Sequence, residues 1–309
     1  MERIDEQPQS RASTWALRLA VFAAALVVVT GILHRLFTMP TPVALNLFAV
    51  AFGLAALSLV MALAALYVTW GTGVRGGASA IAAIAVTAGL FAWPIAYLPV
   101  ATRLPRLNDI STDTETPPPF ARLSVMRQKG ANAAAWRGPK TAERQKASYP
   151  DIAPLYLARR PDDAFELALE ALRRQKMTIV AETRDPAGGG VVEAVDRTMI
   201  LGFADDLAVR VRPDAGGSRV DVRSASRWGR HDLGRNAERV RRVLNQIVAR
   251  AQATVPAVPG ERVARVRARG KRDDAKSRAE SGRRAGSATV RATRSQSRRV
   301  RRRQRDADE

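Results

Sequence analysis

Residues 220–236, VDVRSASRWGRHDLGRN, concentrate more specific polar chemistry than any other stretch of the chain. The valines at its start alternate with charged side chains, which is typical of a strand with one buried face. Arginines, serines and glycines follow, and beyond Asn236 apolar residues return at helical spacing. We therefore predict that this stretch ends a strand and begins a helix, with Asn236 as the helix cap.

Strand and helix patterns surround this stretch over residues 151–254. Their order is one amphipathic helix, four or five strands joined mostly by hairpin turns, and a second amphipathic helix. Because each helix needs a sheet face to cover, we predict an α+β two-layer domain with a mainly antiparallel sheet. The predicted segments are helix 161–172, strands 177–184, 191–198, 207–212 and 219–223, and the helix that follows Asn236.

Three long apolar runs lie upstream, within residues 15–100, after a polar N-terminus at residues 1–14. Each run has the roughly 20 residues that are needed to cross about 30 Å of hydrocarbon. Tryptophan and tyrosine lie near the ends of the runs, where amphipathic rings prefer the headgroup level. We predict three transmembrane helices, over residues 15–37, 43–69 and 78–100.

The charges that flank these spans do not decide their orientation, because Lys and Arg divide almost evenly between the two sides. An odd number of spans nevertheless places the N-terminus and the long downstream chain on opposite sides of the membrane. The lipid bilayer is therefore the first partner that the sequence predicts.

Residues 71–76, between the second and third spans, read GTGVRG and match the dinucleotide-binding pattern G-x-G-x-x-G. That pattern binds a dinucleotide when it joins a buried strand to a helix whose N-terminus faces the pyrophosphate. Here it joins two membrane helices, so we interpret it as a turn and predict no cofactor.

The chain between the membrane and the domain, residues 101–150, lacks sustained periodicity. It is rich in turn-forming residues, and three consecutive prolines at 117–119 exclude a helix there. We predict an extended Pro-rich connector. A connector of this length without structure is unusual enough that docking onto the domain is an equal alternative.

The chain ends in an arginine-rich segment, residues 255–309. Residues 260–309 hold 18 Lys and Arg against 7 Asp and Glu, about half of the net charge of +21. This composition cannot bury enough apolar surface to fold, so we predict a disordered tail. Its charge suits anionic lipid headgroups. Nucleic acid would require a cytoplasmic tail, and no aromatic residues interleave the arginines to stack on bases. The plainer interpretation is a solvated tail with only weak electrostatic attraction to anionic partners, and of the two specific partners lipid headgroups are preferred.

Catalytic patterns are incomplete in this sequence. It has no cysteine, which excludes disulfides, thiol catalysis and Cys-based zinc sites. His231 and Asp232 have serines close by, but side chains so near along the chain rarely form a three-way relay, and no nucleophile elbow is present. The adjacent Asp205 and Asp206 point to opposite faces of an extended strand and do not converge on one metal ion. We therefore predict no catalytic residue and no metal ligand.

The arginines of the domain are forked donors that suit carboxylates and phosphates. Two roles remain open for them: an internal ion-pair network, or a site for an anionic ligand such as a phosphate-bearing lipid. The candidates for anion or partner binding are Arg223, Ser224, Ser226, Arg227, Asp232 and Asn236. The candidates for the ionic network are Asp205, Asp206, Arg235 and Arg239.

Several short motifs resemble the family called domain of unknown function 1499. They are DISTD at 109–113, PPPF at 117–120, FADD at 203–206 and RSASR at 223–227, followed by Gly229, Asp232, Gly234 and Asn236. The resemblance covers about residues 108–247. It implies a membrane-tethered domain on the extracytoplasmic side, and it brings no established activity or catalytic residue.

Together these features favour a non-enzymatic integral membrane protein whose α+β domain binds a ligand or partner at the cell envelope. We expect the bacterial inner membrane, with the domain in the periplasm, and the sequence identifies no protein partner. One alternative is a membrane-associated hydrolase or lipid-modifying enzyme that uses the Asp and Arg groups. Another is binding of nucleic acid or anionic lipid by the tail.

Overall fold

The computed structural model of the protein describes residues 10–37 and 39–254. The predicted disordered tail lies outside the described residues, as do residues 1–9 of the polar N-terminus. The first part of the described chain is helical, and the second part combines an antiparallel sheet with helices. The predicted fold class is therefore confirmed.

Three helices, each long and apolar enough to cross a membrane, form the N-terminal part, as predicted. They pack through alanines, because small side chains let membrane helices approach closely. The hydroxyl of Ser58 also donates a hydrogen bond of 2.7 Å to the carbonyl of Ala16 on the neighbouring helix. The three helices are α1 (Arg11–Leu36), α2 (Thr41–Thr72) and α3 (Gly77–Ala96).

The polypeptide leaves the third helix through a short helix that leads directly into the domain. This helix, α4 (Leu98–Arg103), ends where Leu104 becomes extended. Five residues, 104–108, separate it from the first strand. The ends of α1 and α3 and the beginning of α2 therefore lie on the side of the bundle that faces the domain.

The sheet has six strands, and every strand pair is antiparallel. The strands are β1 (Asp109–Ser111), β2 (Leu155–Leu157), β3 (Thr178–Arg184), β4 (Gly190–Arg197), β5 (Ala204–Asp214) and β6 (Gly217–Ser226). Their order is β1-β6-β5-β4-β3, and β2 pairs with the other half of β6. The last strand thus holds both short strands at one edge of the sheet.

Two amphipathic helices cover one face of the sheet, α7 (Pro161–Arg174) and α8 (Arg235–Ala253). Their apolar stripes meet the inward-facing side chains of the central strands, and this burial forms the main core. Full burial of such side chains contributes about 1.5–3 kcal/mol each. Representative members of the core are Phe165, Leu172, Leu207, Val222 and Val240.

The connector covers the opposite face of the sheet. Phe120 and Leu123 pack on Val195, Ala208 and Ala225, which form a second apolar cluster. The connector also contributes two helices, α5 (Arg122–Val125) and α6 (Pro139–Ser148). The packed structure therefore extends upstream of residue 151 as far as Asp109.

Polar side chains fix the connector in place. The Glu193 carboxylate accepts hydrogen bonds of 2.9 Å from the backbone amides of Arg122 and Leu123 at the start of α5. The Gln145 side chain bonds both the N–H and the C=O of Ser111, at 3.0 and 2.6 Å. These contacts join residues far apart in sequence, so local periodicity does not reveal them.

Candidate functional site

Asp205 and Asp206 point to opposite faces of β5, because successive side chains alternate along a strand. Asp205 faces α8 and lies 2.6 Å from Nη2 of Arg239. Asp206 faces the connector, where Arg127 and Arg227 approach its two oxygens. Both carboxylates are buried. The pair therefore forms two separate ion-pair sites.

Arg239 is the centre of a buried network beneath α8. Its side chain is 2 % exposed, and its Nε lies 2.7 Å from Asp196. Its Nη1 donates hydrogen bonds to Asn236 at 2.7 Å and to Ser224 at 3.0 Å. Burial raises the pKa of the Asp205 carboxyl, and the charge of Arg239 opposes that shift. The guanidinium thus ties three strands, β4, β5 and β6, to the helix.

Asn236 lies inside α8 and does not cap it, contrary to our prediction. The residue before α8 is Gly234, in the left-handed conformation at φ 79°. Asp232 supplies the capping bonds instead, since its carboxylate accepts from the N–H groups of Gly234 at 2.8 Å and Asn236 at 2.9 Å. The side chain of Asn236 joins the Ser224 and Ser226 hydroxyls.

Arg223 forms a two-pronged ion pair with Asp109. Its Nη2 and Nε lie 2.7 and 3.0 Å from the two carboxylate oxygens. The guanidinium also stacks over Phe120, with 4.3 Å from its carbon to the ring centroid. Burial raises the pKa of the Asp109 carboxyl, and the Arg223 guanidinium opposes that shift. In this arrangement Arg223 contacts the protein's own groups on every side.

Arg227 shares Asp206 with Arg127. The Nε atoms of Arg227 and Arg127 donate to the carboxylate at 2.7 and 2.8 Å. Arg127 also donates to the carbonyls of Asn132 and Ala133, so it holds the connector against the sheet. Arg227 additionally borders a polar cavity of about 370 Å³ beside the domain-facing end of α1.

A third ionic cluster lies on the connector face of the sheet. It consists of Arg210, Arg212 and Arg219 around Asp113 and Asp221. Asp221 is fully buried and lies 3.0–3.1 Å from a guanidinium nitrogen of each arginine. The arginine-rich face of the predicted second hairpin is thus covered by carboxylates of the protein.

Asp113 is held mainly as a carboxylate. Burial alone would raise its pKa, but hydrogen bonds from Thr116 and from the backbone amide of Glu115, with the charge of Arg219, outweigh burial. The pKa of Asp113 is therefore below its ordinary value. This lowered pKa belongs to an internal contact and not to a cleft.

His231 has both ring nitrogens in contact with backbone groups. Nε2 lies 3.1 Å from the carbonyl of Ala101, and Nδ1 accepts from the amide of Leu233 at 3.0 Å. The hydroxyls of Ser224 and Ser226 bond to Asn236 and not to this ring. Across residues 10–37 and 39–254, no group of three His, Cys, Asp or Glu side chains could hold a metal ion.

An apolar cavity of about 630 Å³ opens where the apolar helices meet the domain. One wall comes from the domain-facing ends of α2 and α3. The other comes from the β4–β5 loop and from the loop between β6 and α8. Its apolar lining includes Leu45, Trp93, Tyr97, Ile200, Phe203 and Trp228. Asp205, Ser226 and Asp232 from the predicted sets also border it.

A second, basic cavity of about 830 Å³ adjoins the first. Its cationic side chains outnumber its two acidic ones, Asp196 and Glu238. They are Arg35, Lys176, Arg197, Arg235, Arg239 and Arg242. The two cavities share five lining residues: Tyr97, Thr198, Met199, Leu233 and Arg235. An apolar space and a cationic space therefore meet along one wall.

Arg235 lies at this shared wall and not in the buried network. Its side chain is exposed, and it forms no ion pair among the described residues. Nearby, the side-chain amide of Gln175 is inaccessible to solvent but has no hydrogen-bond partner within the described chain. Both residues border the basic cavity, and the exposed guanidinium of Arg235 is available to a polar ligand group.

The sequence patterns did not identify the residues that form these cavities. Tyr97 is one of the aromatic residues near the ends of the apolar runs, which we expect at the membrane interface, but no sequence pattern points to Trp228, Gln175 or Arg197. One signal was present, since the run MIL at 199–201 is apolar within a hairpin loop, where polar residues are usual. The remaining residues come together only in the folded chain.

Comparison with known proteins bears on the domain. No curated protein matches the chain. Residues 109–247 match a family described as a protein of unknown function, DUF1499. The match begins at β1 and ends within α8, so it covers the sheet, α7, the first part of α8 and the connector from Asp109 onward. The chain thus carries, beside its three apolar helices, a domain that matches the DUF1499 family of unknown function over residues 109–247.

Proposed function

We propose that this protein binds an anionic, amphipathic lipid at the membrane interface and does not transform it. The observation that carries the proposal is the shared wall between the apolar and the basic cavity. A molecule with an acyl chain and a phosphate would place each part in the matching space. The ligand class is that of an anionic phospholipid.

The dimensions and chemistry of the site support this ligand. Both cavities, at about 630 and 830 Å³, lie in the usual size range of small-molecule sites. The apolar cavity is lined by aromatic and aliphatic groups, which suit a hydrocarbon chain. Arg235 and Arg242 line the basic cavity and offer charged donors to a phosphate. The unpaired amide of Gln175 is buried beside the same cavity.

Binding without turnover is favoured because the reactive side chains bond to the protein's own groups. The His231 ring bonds backbone atoms through both nitrogens. The Asp205 carboxylate pairs with Arg239, and Asp232 caps α8. The Ser226 hydroxyl bonds to Asp205 at the edge of the apolar cavity, but it also accepts from Asn236, and the Arg239 guanidinium neutralises that carboxylate.

We also propose that the protein resides in the bacterial inner membrane with its domain in the periplasm. The resemblance of the chain to a family of membrane-tethered domains supports the periplasmic side. The basic tail would then add attraction to anionic headgroups. An alkaline phosphatase fusion after Ala253 tests the orientation, because that enzyme is active only outside the cytoplasm. An inactive fusion at normal expression would place the domain in the cytoplasm and overturn this part of the proposal.

Lipid binding can be tested with the purified full-length protein in detergent. Native mass spectrometry would follow binding of phosphatidylglycerol, with phosphatidylcholine as the neutral comparison. We expect selective retention of phosphatidylglycerol. The double variant Arg235→Gln/Arg242→Gln should lose this selective retention. The variant Leu45→Trp, which fills the apolar cavity, should weaken the binding of both lipids.

The matched control is Arg241→Gln/Arg250→Gln. These arginines lie on the same helix and pair with Asp151 and Glu170, outside the lining of both cavities. The control removes the same charge and should retain the lipid. Equal retention by both double variants, each shown to be folded, would refute the site. Full displacement of the lipid by inorganic phosphate would show that the site binds phosphate and does not require a lipid.

A further inference from the structure

The β4–β5 loop presents large apolar side chains at its tip. We call Met199, Ile200 and Leu201 the apolar tip. Met199 is 85 % exposed and Ile200 is 66 % exposed, and both lie next to the domain-facing ends of the membrane helices. Hairpin loops in water normally carry polar residues, so this composition points to a different surrounding.

The loop is held in a fixed shape. The backbone amide of Thr198 donates to the carbonyl of Phe203, and the amide of Phe203 donates to the Thr198 hydroxyl, each at 2.9 Å. Gly202, at φ 74°, donates to the carbonyl of Thr198 at 3.0 Å. The tip is thus presented by a closed, hydrogen-bonded loop.

The tip reaches down along the first membrane helix. A Cβ atom at Gly31 would lie 3.8 Å from Cδ2 of Leu201. The carbonyl of Leu201 lies 2.6 Å from Nδ1 of His34, whose Nε2 lies 3.0 Å from the Thr41 hydroxyl. Gly31 is five residues before the end of α1 at Leu36. At about 1.5 Å per residue, the contact lies about 7 Å inside the end of the helix.

The groups around the loop match the layers of a bilayer surface. Trp93 and Tyr97 on α3 lie nearby, with ring centroids 5.8 Å apart, and such rings prefer the headgroup level. Arg35 and Arg197 lie at the base of the loop, where Arg197 donates to the carbonyl of Gly202. Cationic and aromatic groups therefore flank an apolar tip that lies beside the domain-facing ends of the apolar helices.

We propose that the apolar tip inserts into the acyl-chain region of the membrane leaflet on the domain's side. The bilayer is its occupant, because the tip lies beside a membrane helix at a depth below that helix's end. The domain is then docked on the lipid surface through this loop, in addition to its covalent link through α4. This inference does not depend on whether the cavities hold a lipid.

Single-cysteine labelling tests the insertion directly, because the natural chain has no cysteine. The variants Met199→Cys and Ile200→Cys would carry a polarity-sensitive fluorophore in the full chain. The labelled proteins are reconstituted in vesicles of phosphatidylcholine and phosphatidylglycerol. Quenching is then compared between lipids with a nitroxide on the acyl chain and iodide in water.

Two reference positions calibrate the result. Val28→Cys lies on an exposed face of α1 within the span, and Ala215→Cys lies in the β5–β6 turn at the opposite end of the sheet. We expect fluorophores at positions 199 and 200 to be quenched by the nitroxide lipid as strongly as the one at position 28, and several-fold more strongly than the one at position 215. Iodide should quench position 215 alone. Both tip positions behaving like position 215 would overturn the proposal, and two independent tip sites guard against a local effect of one label.

Discussion

The guanidinium of Arg223 on β6 holds both carboxylate oxygens of Asp109 on β1, at 2.7 and 3.0 Å. Both side chains are buried, and they lie 114 residues apart in sequence. This pair joins the first strand after the membrane to the last strand of the sheet. The ion pair therefore stabilises the fold by holding β1 against β6.

Arg223→Ala should destabilise the protein by about 3–5 kcal/mol, because it leaves the buried Asp109 carboxylate without its partner. Thermal and denaturant unfolding in detergent would measure the loss. The double variant Asp109→Leu/Arg223→Met removes both charges and should recover most of it. A single-variant loss as small as that of the exposed-pair variant Arg241→Ala would contradict this assignment.

Asn236→Ala should cost about 1–3 kcal/mol, since it leaves buried donors and acceptors unpaired. The affected groups are the hydroxyls of Ser224 and Ser226 and one donor of Arg239. Unfolding curves would give the cost, and hydrogen exchange should show faster exchange at the start of α8. Asp232→Ala is the companion variant, and it should weaken the same turn through loss of the cap. Unchanged exchange in both variants would disprove the capping arrangement.

Gly217→Ala should loosen the edge strand β2. An added Cβ would lie 2.1 Å from the carbonyl oxygen of Leu157, so the strand must shift, at a cost of about 1–3 kcal/mol. Hydrogen exchange should increase at Leu155–Leu157 while the central strands stay protected. Gly216→Asn is a useful control, because nothing lies within 4 Å of its Cβ position and asparagine tolerates its φ of +79°. Similar exchange in both variants would rule out the clash.

Acid should remove part of the stability through Asp113. Its folded pKa is lower than the ordinary value of 3.8, so its contribution is fully present above that value and is lost as pH falls through the folded pKa. Unfolding measured from about pH 6 to about pH 2 should therefore show a steeper acid decline in the natural protein than in Asp113→Asn. If stability fell with pH in parallel for the two proteins, the Asp113 carboxylate would not be the group that stabilises the fold.

The elements with regular periodicity were predictable from the sequence. The three apolar helices follow from uninterrupted hydrophobic length, and α7 and α8 follow from apolar stripes at helical spacing. The two hairpins follow from alternation that is bounded by glycine-rich turns. Asp205 and Asp206 lie on opposite faces for the same reason, because alternation is a local property of a strand.

The elements that depend on distant partners were not predictable. The strands β1 and β2 have three residues each, too few to show a period, and they form only against β6. The connector folds through Gln145, Glu193 and Arg223, whose partners are far away in sequence. Asn236 matched the cap pattern, but Asp232 reaches the same amides from outside the helix. The cavities arise where membrane helices and loops meet, a relation that no single segment contains.

The pairing of β1 with β6 also sets an order of events during synthesis. The strand that emerges first from the membrane has its partner on the strand that is made last, so it must wait until residue 226 has left the ribosome. Until then Asp109 lacks its partner Arg223, and the connector has no completed sheet to cover. A chain that stops before β6 would therefore lack the strand on which β1 pairs. Pairing of β1 therefore shows that β6, the last strand of the domain, has been made.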